Sequence, residues 1–293
     1  MAYLQAFDVP EDQVVLGTTL PVLSYAVAAT DARLIRPRRP LGAGVQSYAV
    51  TSSRTGGAGP AAACSVSMRM SGVPEDAADV PLPAPMWAPR MVDLYDPITA
   101  QAGVDTGTAY LSTFDARRFD PVADRVVYTT SPYDWSGGAA SFSAWVRFDD
   151  VAATERRWYL GQTGGGAFAI FIGSLTTGNI RFWHQHGTTS LSRTTAAATV
   201  VPDVWYHVVV TYPGNSVAGD VHIYVNGVQP GYVTTTNGVG APTATTGAWS
   251  LGYALSASVS MLGEIAFPMA FATILTPAQV AAIYESQRGT FGV

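Results

Sequence analysis

Apolar and aromatic positions crowd most tightly at Trp205-Tyr-His-Val-Val-Val-Thr-Tyr212, eight residues without a helical period. β-branched and aromatic side chains in that density predict a strand. Tyr206, Val208, Val210 and Tyr212 fall on one face, and Trp205, His207, Val209 and Thr211 on the other. A strand bulky on both faces belongs inside a sheet that is covered on both sides. After a short loop Val221-His-Ile-Tyr-Val225 alternates, with Val221, Ile223 and Val225 on the predicted core face, and it closes on Asn226-Gly227. That pair tolerates positive φ at both central positions of a type I′ turn, so Val228 to Val233 is predicted as the returning strand of a hairpin.

Further strand patterns recur at turn-punctuated spacing. They are Trp158 to Gly161, Ala167 to Ile172, Asn179 to His186, Ala248 to Tyr253 and Leu262 to Phe271. Thr276-Pro-Ala-Gln279 combines an N-cap, a proline suited to the first helical position and a capping-box glutamine. Val280, Ile283 and Tyr284 then form one apolar stripe, and Gly289 marks the predicted helix end. In the N-terminal third, Val14–Leu16, Pro21–Ala29, Val45–Thr51 and Ala63–Met70 are shorter strand candidates, the last of which makes Cys64 a small buried hydrophobe rather than a reactive thiol. Pro74, Pro81, Pro83, Pro85 and Pro89 punctuate the next stretch, where they remove ladder donors and favour a stiff, extended connector. The expected organisation is a small β attachment region over 1–72, a Pro-rich extended connector over 73–110 and a sandwich over 111–293.

The run "WYHVVVTY…GDVHIYVNGVQPG" resembles the laminin G-like, concanavalin A-like sandwich family. "RRFDPVADRVVY" (117–128) is similar to that family's opening strand, with Pro121 where the family has glycine, and "FSAWVRF" (142–148) to an internal strand. "LGEIAFPMAFATILTPAQVAAIY" (262–284) is similar to its closing strand and terminal helix. The resemblance implies an all-β fold: a two-sheet antiparallel jelly-roll sandwich with one short C-terminal helix. It also implies calcium as a possible ion, with Asp120, Asp124 and Glu264 at the matching positions; with Pro121 at the glycine position, carboxylates paired to Arg117, Arg118 or Arg125 are the favoured alternative. The fold alone implies no single activity.

Composition narrows the functions. Hydrophobic residues make up 48% of the 293-residue chain and charged residues 13%, enough for a large core under a sparsely charged surface. All sixteen basic residues are arginine, and the net charge of −5 is spread over both halves, which argues against nucleic-acid binding. The single cysteine excludes an intramolecular disulfide, and no apolar run approaches membrane-spanning length. The opening Met-Ala-Tyr-Leu-Gln-Ala-Phe-Asp lacks a signal-peptide pattern. An extracellular-type sandwich without leader or disulfide suggests export within a phage particle.

Candidate chemistry is sparse. No paired-carboxylate strand motif for glycoside hydrolysis and no Gly-x-Ser-x-Gly elbow occurs. His184 and His186 share a face that permits metal ligation, but a third ligand at useful spacing is missing. Aromatic and hydrogen-bonding side chains suited to a sugar are Trp145 with Arg147, Arg157 with Trp158, and Trp183 with Gln185, or else these aromatics fill an interface. Arg33, Arg36, Arg38 and Arg39 form a candidate docking arm, and Met86 and Trp87 on the connector are candidates to pack against a partner or a neighbouring copy. The expectation is a non-enzymatic virion protein, either a capsid decoration or a minor tail protein. It would assemble with other virion proteins and with copies of itself, a trimer being favoured, and would use neither nucleic acid nor membrane. The alternatives are a carbohydrate-binding adhesin of a tail fibre or cell surface, with a glycan partner, and then a glycan hydrolase.

Overall fold

The computed structural model describes residues 48–52, 66–70, 80–120, 124–131, 134–151, 156–163, 168–174, 177–252 and 260–293. The chain divides into two compact units, Met1–Leu82 and Pro83–Val293. In the first, β1 (Tyr48–Ser52) pairs antiparallel with β2 (Val66–Met70), Val50 opposite Met68. The candidates Val14–Leu16 and Pro21–Ala29, the arginines 33, 36, 38 and 39, and Cys64 lie outside the described residues.

The second unit opens with a small ladder of β3 (Tyr95–Asp96) and β4 (Gln101–Ala102). There follow β5 (Val104–Thr106), β6 (Ala109–Leu111), β7 (Ala116–Phe119), β8 (Arg125–Tyr128), β9 (Ala140–Phe148) and β10 (Arg156–Gln162). Next come β11 (Phe168–Ser174), β12 (Ile180–His184), β13 (Leu191–Thr195), β14 (Trp205–Tyr212) and β15 (His222–Val225). The unit closes with β16 (Tyr232–Thr236), β17 (Trp249–Leu251), β18 (Gly263–Phe271) and the helix α1 (Pro277–Phe291). Two antiparallel sheets form the sandwich, one in the order β16-β13-β12-β11-β10-β17-β8-β5 and the other β15-β14-β9-β18-β7-β6.

Alternation along the central strands explains the layers. Phe142, Ala144, Val146 and Phe148 of β9 and Val208, Val210 and Tyr212 of β14 point between the sheets, where they meet Tyr159, Ile172, Phe182, Trp249 and Leu251. Ile223 is fully buried in the same core, as the alternation of β15 requires. Rings dominate its centre: Tyr159 stands edge-on to Trp249 at 4.4 Å, and Trp135 stacks on Trp249 at 5.4 Å. Such pairs add about 0.5–1.5 kcal/mol each beyond the area they bury.

The connector does not stop where its prolines suggested. Trp87 is fully buried edge-on to Tyr128 at 5.2 Å, and its backbone bonds to Ala270 on β18 in both directions. Met86 packs on the same core, joined by the buried Met91 and Leu94. Val104–Thr106 and Ala109–Leu111 supply an edge strand to each sheet. Met86, Trp87, Met91 and Leu94 are therefore packed into the chain's own sandwich, and the partner role expected of Met86 and Trp87 is filled by this chain. Apolar burial has outweighed Pro85 and Pro89, which flank the paired Trp87 without occupying its position.

The hairpin turn forms as predicted: Asn226 and Gly227 have φ of 50° and 81°, and Val225 and Val228 exchange backbone hydrogen bonds of 2.8 and 3.1 Å. The predicted returning strand does not. Pairing ends at Val228, Pro230 has no N–H to continue it, and β16 joins β13 in the opposite sheet. The helix also outruns its expected stop. It passes Gly289 and ends at Gly292, whose left-handed φ of 71° closes it, because Phe291 has a buried site on the sheet. The capping box is present, with Gln279 N–H donating to Thr276 Oγ1 at 3.2 Å and Thr276 N–H donating to Gln279 Oε1 at 2.9 Å.

Candidate functional site

The outward face of the six-stranded sheet is closed. α1 lays Val280 and Ile283 over Val209, Tyr224 and Phe271, and Phe291 over Trp145 and Trp205. Trp145 is fully buried, with Phe291 stacked at 4.1 Å and its Nε1–H donated to Gln287 Oε1 at 2.7 Å. Trp158 faces the core against Phe148. Neither indole offers a face to a ligand, which corrects the sugar-facing expectation for both.

At the rim of this closed face, Arg147 donates from Nε and Nη2 to the two carboxylate oxygens of Glu264 at 2.6 and 2.7 Å, and from Nη1 to Asp203 at 3.2 Å. Arg118 clasps both oxygens of Asp149 and lies 3.6 Å from Glu264. These bonds raise the pKa of both guanidiniums, chiefly through Glu264 for Arg147 and Asp149 for Arg118. Arg147 is thus a structural ion-pair partner. Glu264 cannot serve calcium as the resemblance implied, since both of its oxygens already accept from a guanidinium. Asp124 Oδ2 accepts from the Asp120 N–H at 2.9 Å. The residues present do not fit the ion, and among the described residues no group of three His, Cys, Asp or Glu side chains could hold a metal.

The four histidines are structural or peripheral. His184 faces inward, with Nδ1 2.9 Å from Tyr212 Oη and Nε2 3.0 Å from the Thr243 carbonyl. The carbonyl can only accept, so Nε2 carries the proton and Nδ1 accepts from Tyr212. Burial lowers the His184 pKa to about 4. His186 points Nδ1 at the Gly240 carbonyl, 3.2 Å away, so the two rings brace the loop over the end of β12 rather than a metal. His207 lies under α1 with Nε2 2.9 Å from Ser143 Oγ, and burial lowers its pKa to about 3. His222 is half-buried on the edge strand β15.

α1 does not cross the outward face of the eight-stranded sheet, because it packs on the six-stranded one. Two register rows organise this outward face. One runs Leu160, Phe171, Trp183, Ser192 and Thr236, and the other Arg157, Gly173, Arg181, Thr194 and Thr234. Trp183 is half-buried and stacks on Phe171 with ring centroids 5.2 Å apart and planes at 17°. The guanidinium carbon of Arg157 sits 4.0 Å from the Phe171 centroid and that of Arg181 5.6 Å from it. Arg181 Nε donates to Ser192 Oγ at 3.1 Å, and Gln185 is exposed just beyond β12. Of the six sugar candidates, the structure therefore gathers Arg157, Trp183 and Gln185 on one face. Phe171 and Arg181 join them. The alternation in Ile180-Arg-Phe-Trp-His184 carries the signal for Arg181, which must share a face with Trp183. Phe171 could be found only from its pairing with Trp183.

A laminin G-type family model described as the concanavalin A-like lectin/glucanases superfamily matches residues 123–281. No curated protein matches the chain in sequence. Among solved structures, the botulinum neurotoxin serotype D ligand binding domain in complex with N-acetylneuraminic acid is similar at 11% identity and a TM-score of 0.53, over 69% of this chain and 50% of that one. The botulinum neurotoxin serotype G binding domain matches at 11% identity and a TM-score of 0.55, over 70% and 51%. A Trypanosoma rangeli sialidase in complex with 2,3-difluorosialic acid matches at 13% identity and a TM-score of 0.53, over 75% and 36%. The aligned region spans about half the length of the toxin domains. At these identities the likenesses show the fold alone, while the family match spans more than half of the chain. The sandwich, its closing helix and that match agree: the chain belongs to the concanavalin A-like lectin/glucanases superfamily.

Proposed function

We propose that this chain is a non-catalytic glycan-binding module that uses the outward face of its eight-stranded sheet. The observation that carries the reading is the Trp183–Phe171 stack flanked by Arg157 and Arg181. A pyranose has an apolar C–H face and a polar rim, and an aromatic ring bordered by hydrogen-bond donors complements both. Gln185 supplies a further donor and acceptor beside Trp183. Solved neighbours titled as binding domains, one of them complexed with N-acetylneuraminic acid, support the same reading. A binding role rather than hydrolysis is favoured by the outward register rows of the eight-stranded sheet, in which Leu160, Phe171, Trp183, Ser192, Thr236, Arg157, Gly173, Arg181, Thr194 and Thr234 include no carboxylate. The test is a glycan panel probed with the full chain and with Trp183→Ala. Binding by the parent that the variant loses by about tenfold or more supports the module. Binding unaffected by the change removes this face from consideration, and turnover of any bound glycan contradicts the non-catalytic part.

The wider setting we infer is a virion surface, where several copies of the chain serve as a capsid decoration or minor tail protein. One cysteine in 293 residues favours it, because a lectin-type sandwich displayed outside a cell commonly relies on disulfides and this chain can form none within itself. Antibody labelling of purified particles tests the setting. Labelled particles support it, and particles free of the chain refute it.

A further inference from the structure

We propose that α1 is an acid-sensitive latch: protonation of His207 beneath it releases the helix from the six-stranded sheet while the sandwich itself stays folded. The latch belongs to the closed face and is independent of the glycan reading of the other sheet.

His207 lies on the outward side of β14 and is fully buried. Its ring packs against Trp145 of β9, centroids 5.3 Å apart, and against Tyr284 of α1, 6.1 Å away with planes at 20°. Nε2 lies 2.9 Å from Ser143 Oγ, while Nδ1 is buried without a hydrogen-bond partner. A neutral imidazole carries one ring proton, and Ser143 can serve it. An imidazolium carries a proton on both nitrogens, so the one on Nδ1 would be a buried, charged donor without an acceptor. The closed state therefore accepts neutral His207 and penalises the protonated form.

The elements packed around His207 bring no charge that would offset that proton. On α1, Glu285 and Arg288 are exposed and paired with one another at 2.6 Å. At the rim, Arg147 of β9 and Arg118 of β7 are engaged with Glu264 of β18, Asp149 and Asp203. The other titratable side chains facing this side are Tyr224 and His222 of β15 and Tyr284 of α1, phenols and an imidazole that supply no counter-charge to a cation. Burial accordingly stands alone as the cause that lowers the His207 pKa, to about 3 from the ordinary 6.5.

α1 is the element that gives way. β14 is hydrogen-bonded to β9 on one side and β15 on the other, so moving it would open the sheet. α1 is held by side chains, and of its fifteen residues Val280, Ile283 and Phe291 are buried. Its last turn also contains Gly289, where a Cβ would meet nothing within 4 Å, so no contact requires the glycine. Against alanine, such a glycine weakens a helix by about two- to fivefold in its equilibrium. Lifting α1 is thus the smaller rearrangement that admits water to Nδ1. The open state takes a proton that the closed state refuses. Closure is fully favoured above about 6.5 and weakens as pH falls toward about 3, by up to about tenfold per pH unit.

The test is amide hydrogen exchange on the full chain between about pH 4.5 and 7.5, with rates corrected for the intrinsic pH dependence of exchange. Amides of α1 should exchange through an opening that leaves those of β9 and β14 protected. Their protection should fall by up to about tenfold for each pH unit below about 6.5. His207→Gln keeps a hydrogen-bond partner for Ser143 but cannot take the proton, and it should level this dependence. Gly289→Ala should raise α1 protection about two- to fivefold at every pH and leave the slope in place. Protection of α1 that does not change with pH, or a slope that survives His207→Gln, overturns the latch. So does exchange of α1 in step with β9 and β14, which would mean that the helix leaves only when the whole sandwich unfolds. The pH series on the unaltered chain and on Gly289→Ala decides the matter even where His207→Gln folds poorly.

Discussion

The two outward faces of the sandwich start from similar materials and end differently. Each carries a tryptophan and an arginine two residues apart on an inner strand, Trp145 with Arg147 on β9 and Arg181 with Trp183 on β12. On the six-stranded sheet α1 covers the tryptophan, and carboxylates neutralise the arginine. On the eight-stranded sheet the tryptophan stacks on Phe171 and remains half-buried, while the arginine shares that ring with a second guanidinium. Residue type alone therefore does not make a binding site. The difference comes from what the chain does next: after β18 it turns back over one face with a capped helix and leaves the other without one.

The largest effect that sharpens this contrast is Trp145→Ala. The change removes a fully buried indole, its stack on Phe291 and the anchor for Gln287. Chemical denaturation should show a loss of about 3–5 kcal/mol. A loss below about 1 kcal/mol would mean that α1 does not hold the closed face.

Acid should reach the buried histidines next. His207 under α1 and His184 in the core have pKa values lowered to about 3 and about 4 from the ordinary 6.5. The unfolded chain therefore binds protons that the folded chain refuses, and stability rises with pH between the folded and unfolded values. It is fully present above about 6.5 and falls as pH drops toward about 4, with a slope of up to about 1.4 kcal/mol per pH unit for each histidine. Denaturation midpoints measured across this window check the slope, and His207→Gln should flatten it. A stability profile level down to the folded values would contradict the buried, neutral assignment.

Glu264→Gln probes the rim of the closed face. It leaves Arg147 and Arg118 facing an amide in a largely buried position. The expected cost is about 1–3 kcal/mol by the same denaturation assay. Added calcium should not restore stability, since the residues present do not fit the ion; a calcium-dependent rise in midpoint in the unaltered chain would reverse that conclusion.

How much of this was legible depended on whether the signal was local. Trp205–Tyr212, Ile223, the Asn226-Gly227 turn and the Thr276–Gln279 capping box could all be read because period, turn chemistry and cap are written in adjacent residues. The returning strand after Val228, the extension of α1 to Phe291 and the burial of Trp87 could not. Each depends on a partner far along the chain: β13 for β16, Trp145 for Phe291, Tyr128 for Trp87. The site behaved the same way. Trp183 and Gln185 announced themselves by alternation, while Phe171 joins them only through its register with Trp183 on the next strand.

The smallest expected effect completes the comparison. Trp183→Ala removes the same side chain as Trp145→Ala, also from an inner strand of its sheet. Here the indole is only half-buried and, among the described residues, has no helix packed over it, so the stability cost should be smaller, about 0.5–1.5 kcal/mol. Binding should move the other way, with glycan affinity lost in this variant because the stacking platform is gone. Paired denaturation and calorimetry on the two variants separate the roles. A Trp183 change that destabilises as much as the Trp145 change would show the second face to be closed as well, and the ligand would have to be sought elsewhere. A stable Trp183→Ala that has lost its glycan assigns covering to one sheet and recognition to the other.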